Sequence, residues 1–203
     1  MIGIGMPLLK HKKTAGFTLI ELLVSMAIGL VVIAGVAGTF TAQTRQNNAE
    51  EQIAQMQQNV RGALDLMLRE IQMAGYKPAA GTFNGIQTST STTLRIKLDL
   101  DSTGVETDGT TDDISYTFDS STGLITRTLN NSGSSAILAD NITAFTFAYS
   151  DANGASTTTN TSVRTITINI TARTAKPDPS FTSNGGYRTY QLSAHITPPN
   201  LPL

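Results

Sequence analysis

From Leu22 to Ala42 the chain reads LLVSMAIGLVVIAGVAGTFTA, 21 residues without a charge. A helix of that length, rising about 1.5 Å per residue, crosses roughly 30 Å of hydrocarbon, so one membrane span is predicted over residues 17–43. Arg45, Glu50 and Glu51 then return the chain to water. Apolar positions thin to a stripe, Ile53, Met56, Val60, Ala63, Leu64, Met67, Leu68 and Ile71, at spacings of three and four. Glu51, Gln58, Arg61, Asp65, Arg69 and Gln72 fall mostly elsewhere, which predicts an amphipathic helix half over residues 44–75. Gly75 followed by Pro78 is the expected terminator. A single helix from about Thr18 to Ala74 would run on the order of 85 Å, and its striped half needs a partner.

Past Pro78 the period changes from helical to alternating. Leu94, Ile96, Leu98 and Leu100 share one face of a strand, and Ile114, Tyr116 and Phe118 one face of another. After a turn at 119–123, residues 124–129 read as the return arm of a hairpin. Further strands are predicted over 142–149, with Phe145, Phe147 and Tyr149 alternating, over 163–172 with Ile166, Ile168 and Ile170, and over 188–196 with Tyr190, Leu192, Ala194 and Ile196. The stretches 151–162 and 176–186, rich in Gly, Pro, Asn and Thr, read as surface loops. The predicted fold class is α+β: an antiparallel sheet forming a head over residues 76–203, its apolar face laid on the striped helix half.

Composition narrows the function classes. Of 14 Lys and Arg, Lys10, Lys12 and Lys13 precede residue 17, leaving 11 against 15 Asp and Glu, a mild acidity that argues against direct nucleic-acid binding. With no cysteine there is no disulfide framework, thiolate metal site, nucleophilic thiol or lipidated anchor. Residues 1–16 form a short basic leader without an acid, the flank expected on the cytoplasmic side of a span. An ordinary secretory signal, cut after Gly35-Val36-Ala37, fits less well. Such a signal has a core of about 7–15 residues, whereas this span is longer, opens with an acid and runs into an amphipathic continuation.

That acid is Glu21, and a carboxylate in an apolar span costs roughly 2.5–3.5 kcal/mol at mid-bilayer, so it asks for a partner. A cut after Gly16 would create an ammonium at Phe17, one turn away, and the same group on a neighbouring subunit could meet Glu21 if helices stack with an offset of about one turn. The run Lys12-Lys13-Thr14-Ala15-Gly16-Phe17-Thr18-Leu19-Ile20-Glu21-Leu22-Leu23-Val24 resembles the signature of type IV prepilins and of the pseudopilins of type II secretion. The resemblance implies a pilin-like fold, cleavage by a prepilin peptidase between Gly16 and Phe17, N-methylation of Phe17, and recruitment into a fibre aided by Glu21. Residues 61–80, RGALDLMLREIQMAGYKPAA, resemble the helix end of PilW-like minor pilins, and the stretches 140–149 and 163–168 resemble strands of that group and of J-type minor pseudopilins.

The expected function is therefore that of a minor pilin, a low-copy structural subunit with no cofactor and no chemistry of its own. A minor pseudopilin of a secretion or DNA-uptake system is the alternative, and a non-polymerising membrane-tethered binding protein a third. The partners implied are other pilin subunits, the prepilin peptidase and the inner-membrane assembly platform. The implied location is the inner membrane, single-pass and N-terminus inside, and then the pilus. Ala34, Gly35 and Gly38 offer small-residue helix packing. His195 falls with Gln191 and Ser193 on the polar face of the last strand, poorly placed for a general base. Asp99, Asp101, Glu106, Asp108, Asp112 and Asp113 form the one candidate calcium cluster. Thr103 and Thr110 stand where an EF-hand needs ligands, and a solvated turn between strands is the preferred reading.

Overall fold

The computed structural model describes residues 16–78, 83–100, 102 and 112–201. The chain divides into two compact units, residues 1–47 and residues 48–203. Helix α1, Leu19–Gln72, contributes to both.

In the first unit every described apolar side chain from Phe17 to Phe40 is uncovered, among them Leu22, Leu23, Val24, Ile28, Leu30, Ile33 and Val36. By length and composition α1 can cross a membrane, with a mean hydropathy of 2.5 over its most apolar window. Backbone bonds are satisfied within the helix, as a lipid environment requires. The hydroxyls satisfy themselves as well: Thr39, Thr41 and Thr44 donate to the carbonyls of Val36, Ala37 and Phe40 at 2.8, 2.8 and 2.9 Å.

The second unit holds the core. Helix residues Met56, Val60, Ala63, Leu64, Met67 and Ile71 are buried, and they form one apolar cluster with the sheets. These are six of the eight stripe positions; Ile53 and Leu68 pack at its margin. The last turn tightens, with the amides of Met73 and Ala74 bonding three residues back to Glu70 and Ile71 at 3.0 Å each. Gly75 then turns left-handed, φ 78°, and its N–H leaves the helix for the Lys97 carbonyl at 2.9 Å.

A five-stranded antiparallel meander follows: β1 (Ile86–Ser89), β2 (Thr93–Lys97), β3 (Asp113–Asp119), β4 (Leu124–Leu129) and β5 (Ser134–Ala139). A second meander comprises β6 (Ile142–Ser150), β7 (Thr165–Arg173) and β8 (Thr189–Ile196). The expected single sheet is thus two sheets. The break falls at Asn141, whose φ of 55° turns the chain out of β5 before β6 begins. The sheets stay joined through their edges and cores: the Phe147 amide donates to the Ser91 carbonyl at 2.8 Å, the Tyr149 hydroxyl to the Thr90 carbonyl at 2.8 Å, and the Phe118 and Phe145 rings lie 5.7 Å apart.

The predicted alternation holds where it was strongest. Leu94, Ile96, Ile114, Tyr116, Phe118, Phe145, Phe147, Tyr149, Ile166, Ile168 and Ile170 are all buried. Leu98 is buried beyond the end of β2, whereas Leu100 is exposed, because the strand stops at Lys97. The hairpin between β3 and β4 closes as an Asx turn: Ser121 N–H donates to Asp119 Oδ1 and Gly123 N–H to the Asp119 carbonyl, both at 2.8 Å.

Candidate functional site

Phe17, at the head of the span, is 80% exposed and lies outside the helix with Gly16 and Thr18. The helix begins with a reciprocal capping box. Thr18 N–H donates to Glu21 Oε2 at 3.2 Å, Glu21 N–H donates to Thr18 Oγ1 at 3.3 Å, and the Thr18 hydroxyl donates to Glu21 Oε2 at 3.1 Å. The first backbone turn closes from Leu22 N–H to the Thr18 carbonyl at 3.2 Å. Glu21 is therefore held over the start of its own helix, where a negative charge also suits the helix dipole. Thr18 is the residue that sequence reasoning missed. Its signal was the Thr18-x-x-Glu21 spacing directly before an apolar run.

Further along the span, a Cβ built on Gly29, Gly35 or Gly38 meets nothing within 4 Å, and Ala34 is exposed. Ala34, Gly35 and Gly38 fall on one side of the helix, with Gly29 on the other.

In the head a partly buried triad joins the helix to the sheet. Arg127 of β4 grips Glu70 of α1 with three bonds: Nε at 3.1 and 2.9 Å to the two carboxylate oxygens, and Nη2 at 2.6 Å to Oε1. Tyr116 of β3 donates its hydroxyl to Glu70 Oε2. Burial first, and then the bond to the Glu70 carboxylate, holds the Tyr116 phenol far above its ordinary titration range. The bond to Glu70 raises Arg127 against the opposing cost of burial. Both groups keep their protons, and the triad ties the last turns of α1 to the sheet.

The acid cluster does not take the expected form. Asp99, Asp112 and Asp113 are buried at 0%, 1% and 1% exposure, so the solvated turn is corrected for these three. Asp112 Oδ1 accepts from Leu100 N–H at 3.3 Å, and Asp113 is clamped by Arg95 and Asn130. Asp101, Glu106 and Asp108 lie outside the described residues, and among the described residues no group of three or more metal-ligating side chains converges. His195 is exposed on β8, opposite Thr167 of β7.

The head also carries a cleft of about 350 Å³ lined by Gln52, Gln55, Met56 and Asn59 of α1 together with Asp140, Asn141, Arg173 and Ala175. Its amides are engaged internally. Asn59 Nδ2 donates to Asp140 Oδ1 at 2.8 Å, and Gln52 Oε1 accepts from Lys176 N–H at 3.0 Å. These bonds fasten the β5–β6 turn and the loop after β7 to the helix.

Two family profiles match the chain. Residues 11–37 match the prokaryotic N-terminal methylation motif, and residues 49–196 match prepilin peptidase-dependent protein B. Among solved structures, a type IV-like pilin from Thermus thermophilus aligns at 12% identity over 71% of this chain and 97% of that one, with a TM-score of 0.47. Comparison with curated proteins finds no match.

Proposed function

Because this chain belongs to the prepilin peptidase-dependent protein B family and is type IV pilin-like, we propose that it acts as a minor pilin, a structural subunit that primes or enters a type IV pilus after its leader is removed. Hydrolysis of the Gly16–Phe17 bond adds one water across the amide. It leaves a carboxylate on the leader and an ammonium on Phe17, which, after losing a proton, takes a methyl group from a sulfonium-type donor that departs as the thioether. Before cleavage the protein is a single-pass anchor with its N-terminus on the cytoplasmic side and its head across the membrane. Afterwards the same helix packs among those of other pilin subunits, delivered by the assembly platform.

The observation that carries this reading is an apolar helix surface with nothing laid against it and one carboxylate at its head. Lipid covers the apolar part but leaves Glu21 with only its own helix end as partner. A neighbouring chain offers an ammonium as well. The pairing fixes register between helices whose apolar contacts have little directional preference. Gly35 and Gly38, with Ala34 beside them, allow those helices to approach closely. The protein's own role is one of packing and contact rather than catalysis.

The test is Glu21→Ala in the full chain. The variant is expected to be membrane-inserted and still cut, yet missing from sheared fibres. Undiminished incorporation would sink the proposed pairing. N-terminal sequencing of the mature parent should read from an N-methylated Phe17; a start at Met1 or near Gln43 would overturn the reading as a whole.

A further inference from the structure

We propose that Thr18 is a positioning residue for processing: its reciprocal bonds with Glu21 stop the helix at Leu19 and thereby present the Gly16–Phe17 peptide to the peptidase as non-helical chain. The inference rests on the reading that the leader is cut at that bond. It gives the capping box a task in the cut, beside the part that Glu21 plays in the fibre.

A peptidase needs the scissile carbonyl free to be attacked. Inside an α-helix that carbonyl is committed to the amide four residues on, and the backbone is coiled away from an extended binding mode. Here Gly16 and Phe17 precede the helix, with the capping residue second after the scissile bond. The cap is made by side-chain chemistry specific to this position, since Thr18 Oγ1 takes the Glu21 amide at 3.3 Å while the Glu21 carboxylate takes the Thr18 amide at 3.2 Å. Gly16 adds resistance to helix, costing about 1 kcal/mol relative to alanine there. In the sequence, the next side chain upstream able to cap a helix is Thr14, one turn earlier, and its third helical position would be Phe17, which brings no carboxylate. With alanine at 18 the cap is lost and a strong helix former takes its place. The helix start then slides toward Thr14, drawing Gly16 and Phe17 into the first turn.

The experiment compares initial cleavage rates of the full-length precursor and its Thr18→Ala and Thr18→Ser variants by prepilin peptidase in membranes, with products identified by N-terminal sequencing. Thr18→Ala is expected to slow cleavage about fivefold, the factor set by a cap worth about 1 kcal/mol, and Thr18→Ser to restore most of the rate. Amide exchange in detergent micelles should show residue 18, Leu19 and Ile20 newly protected in Thr18→Ala alone, because these amides then bond carbonyls four residues back, Ile20 taking the scissile Gly16 carbonyl. Equal rates for all three chains overturn the proposal, as does slowing without added protection. If the parent itself is not cut at Gly16–Phe17, the cleavage reading fails instead, and the two failures are told apart by the parent lane.

Discussion

Glu70 occupies a position where an outward-facing acid near a helix end would ordinarily be solvated. It is instead sealed between Arg127 and Tyr116, with carboxylate and guanidinium each about one-fifth exposed. Replacing Glu70 with Ala leaves a guanidinium and a phenol without their acceptor in a half-buried site, and the expected loss is about 3 kcal/mol. Urea denaturation of the full chain in detergent, followed by tyrosine fluorescence, measures it. Glu70→Gln should lose less, because the amide oxygen still accepts one bond.

The Arg95–Asp113 pair is governed by opposite pressures. Burial pushes the Asp113 carboxyl up, but the bonds from Arg95 and Asn130 and the charges of Arg95 and Lys97 outweigh it and hold the group below its ordinary value. A depressed folded-state value means that the stabilisation is complete above the unfolded value of about 3.9 and fades as pH falls through the folded one. Thermal midpoints should therefore drop on acidification below about pH 4, with Asp113→Asn showing a shallower acid limb.

Among the elements, the meeting of the α1 terminus with the approach to β1 is the tightest. A Cβ on Gly85 would stand 2.5 Å from the Gly75 nitrogen and 2.7 Å from Leu201 Cδ2, so Gly85→Ala forces backbone apart. A destabilisation of about 1–3 kcal/mol is expected, read as a shift in the same denaturation midpoint. Gly75 was legible in the sequence as a helix stop; the need for Gly85 was not, since it arises from two segments distant in the chain. The strands divide in the same way. Those whose alternate positions are buried announced themselves. β1 has one buried residue, Ile86, and β5, a sheet edge reading SSAILA, buries only Ala139, so neither has a face to alternate. The separation of β6–β8 from β1–β5 was hidden for a related reason. It depends on one left-handed Asn141, whereas the apolar pattern on either side is the same.

At the scale of the molecule, the helical stripe and the apolar run were readable because each answers to a single solvent: the first to a protein core, the second to hydrocarbon. The triad and the buried aspartates were unreadable because charge burial depends on partners brought in from other strands. Hydrophobicity thus located the layers, and the polar contacts that lock them came only with the fold.

The bare flank of α1 has an energetic consequence. Exchanging acyl chains for like helices barely alters how much oily surface meets water, so neither home is strongly preferred on that ground. Travel between them is then nearly level in free energy, and a modest push from a motor, or a single ionic latch, can set its direction. If the chain enters a fibre as proposed, the same near balance lets it be drawn back into the bilayer as readily as it was raised.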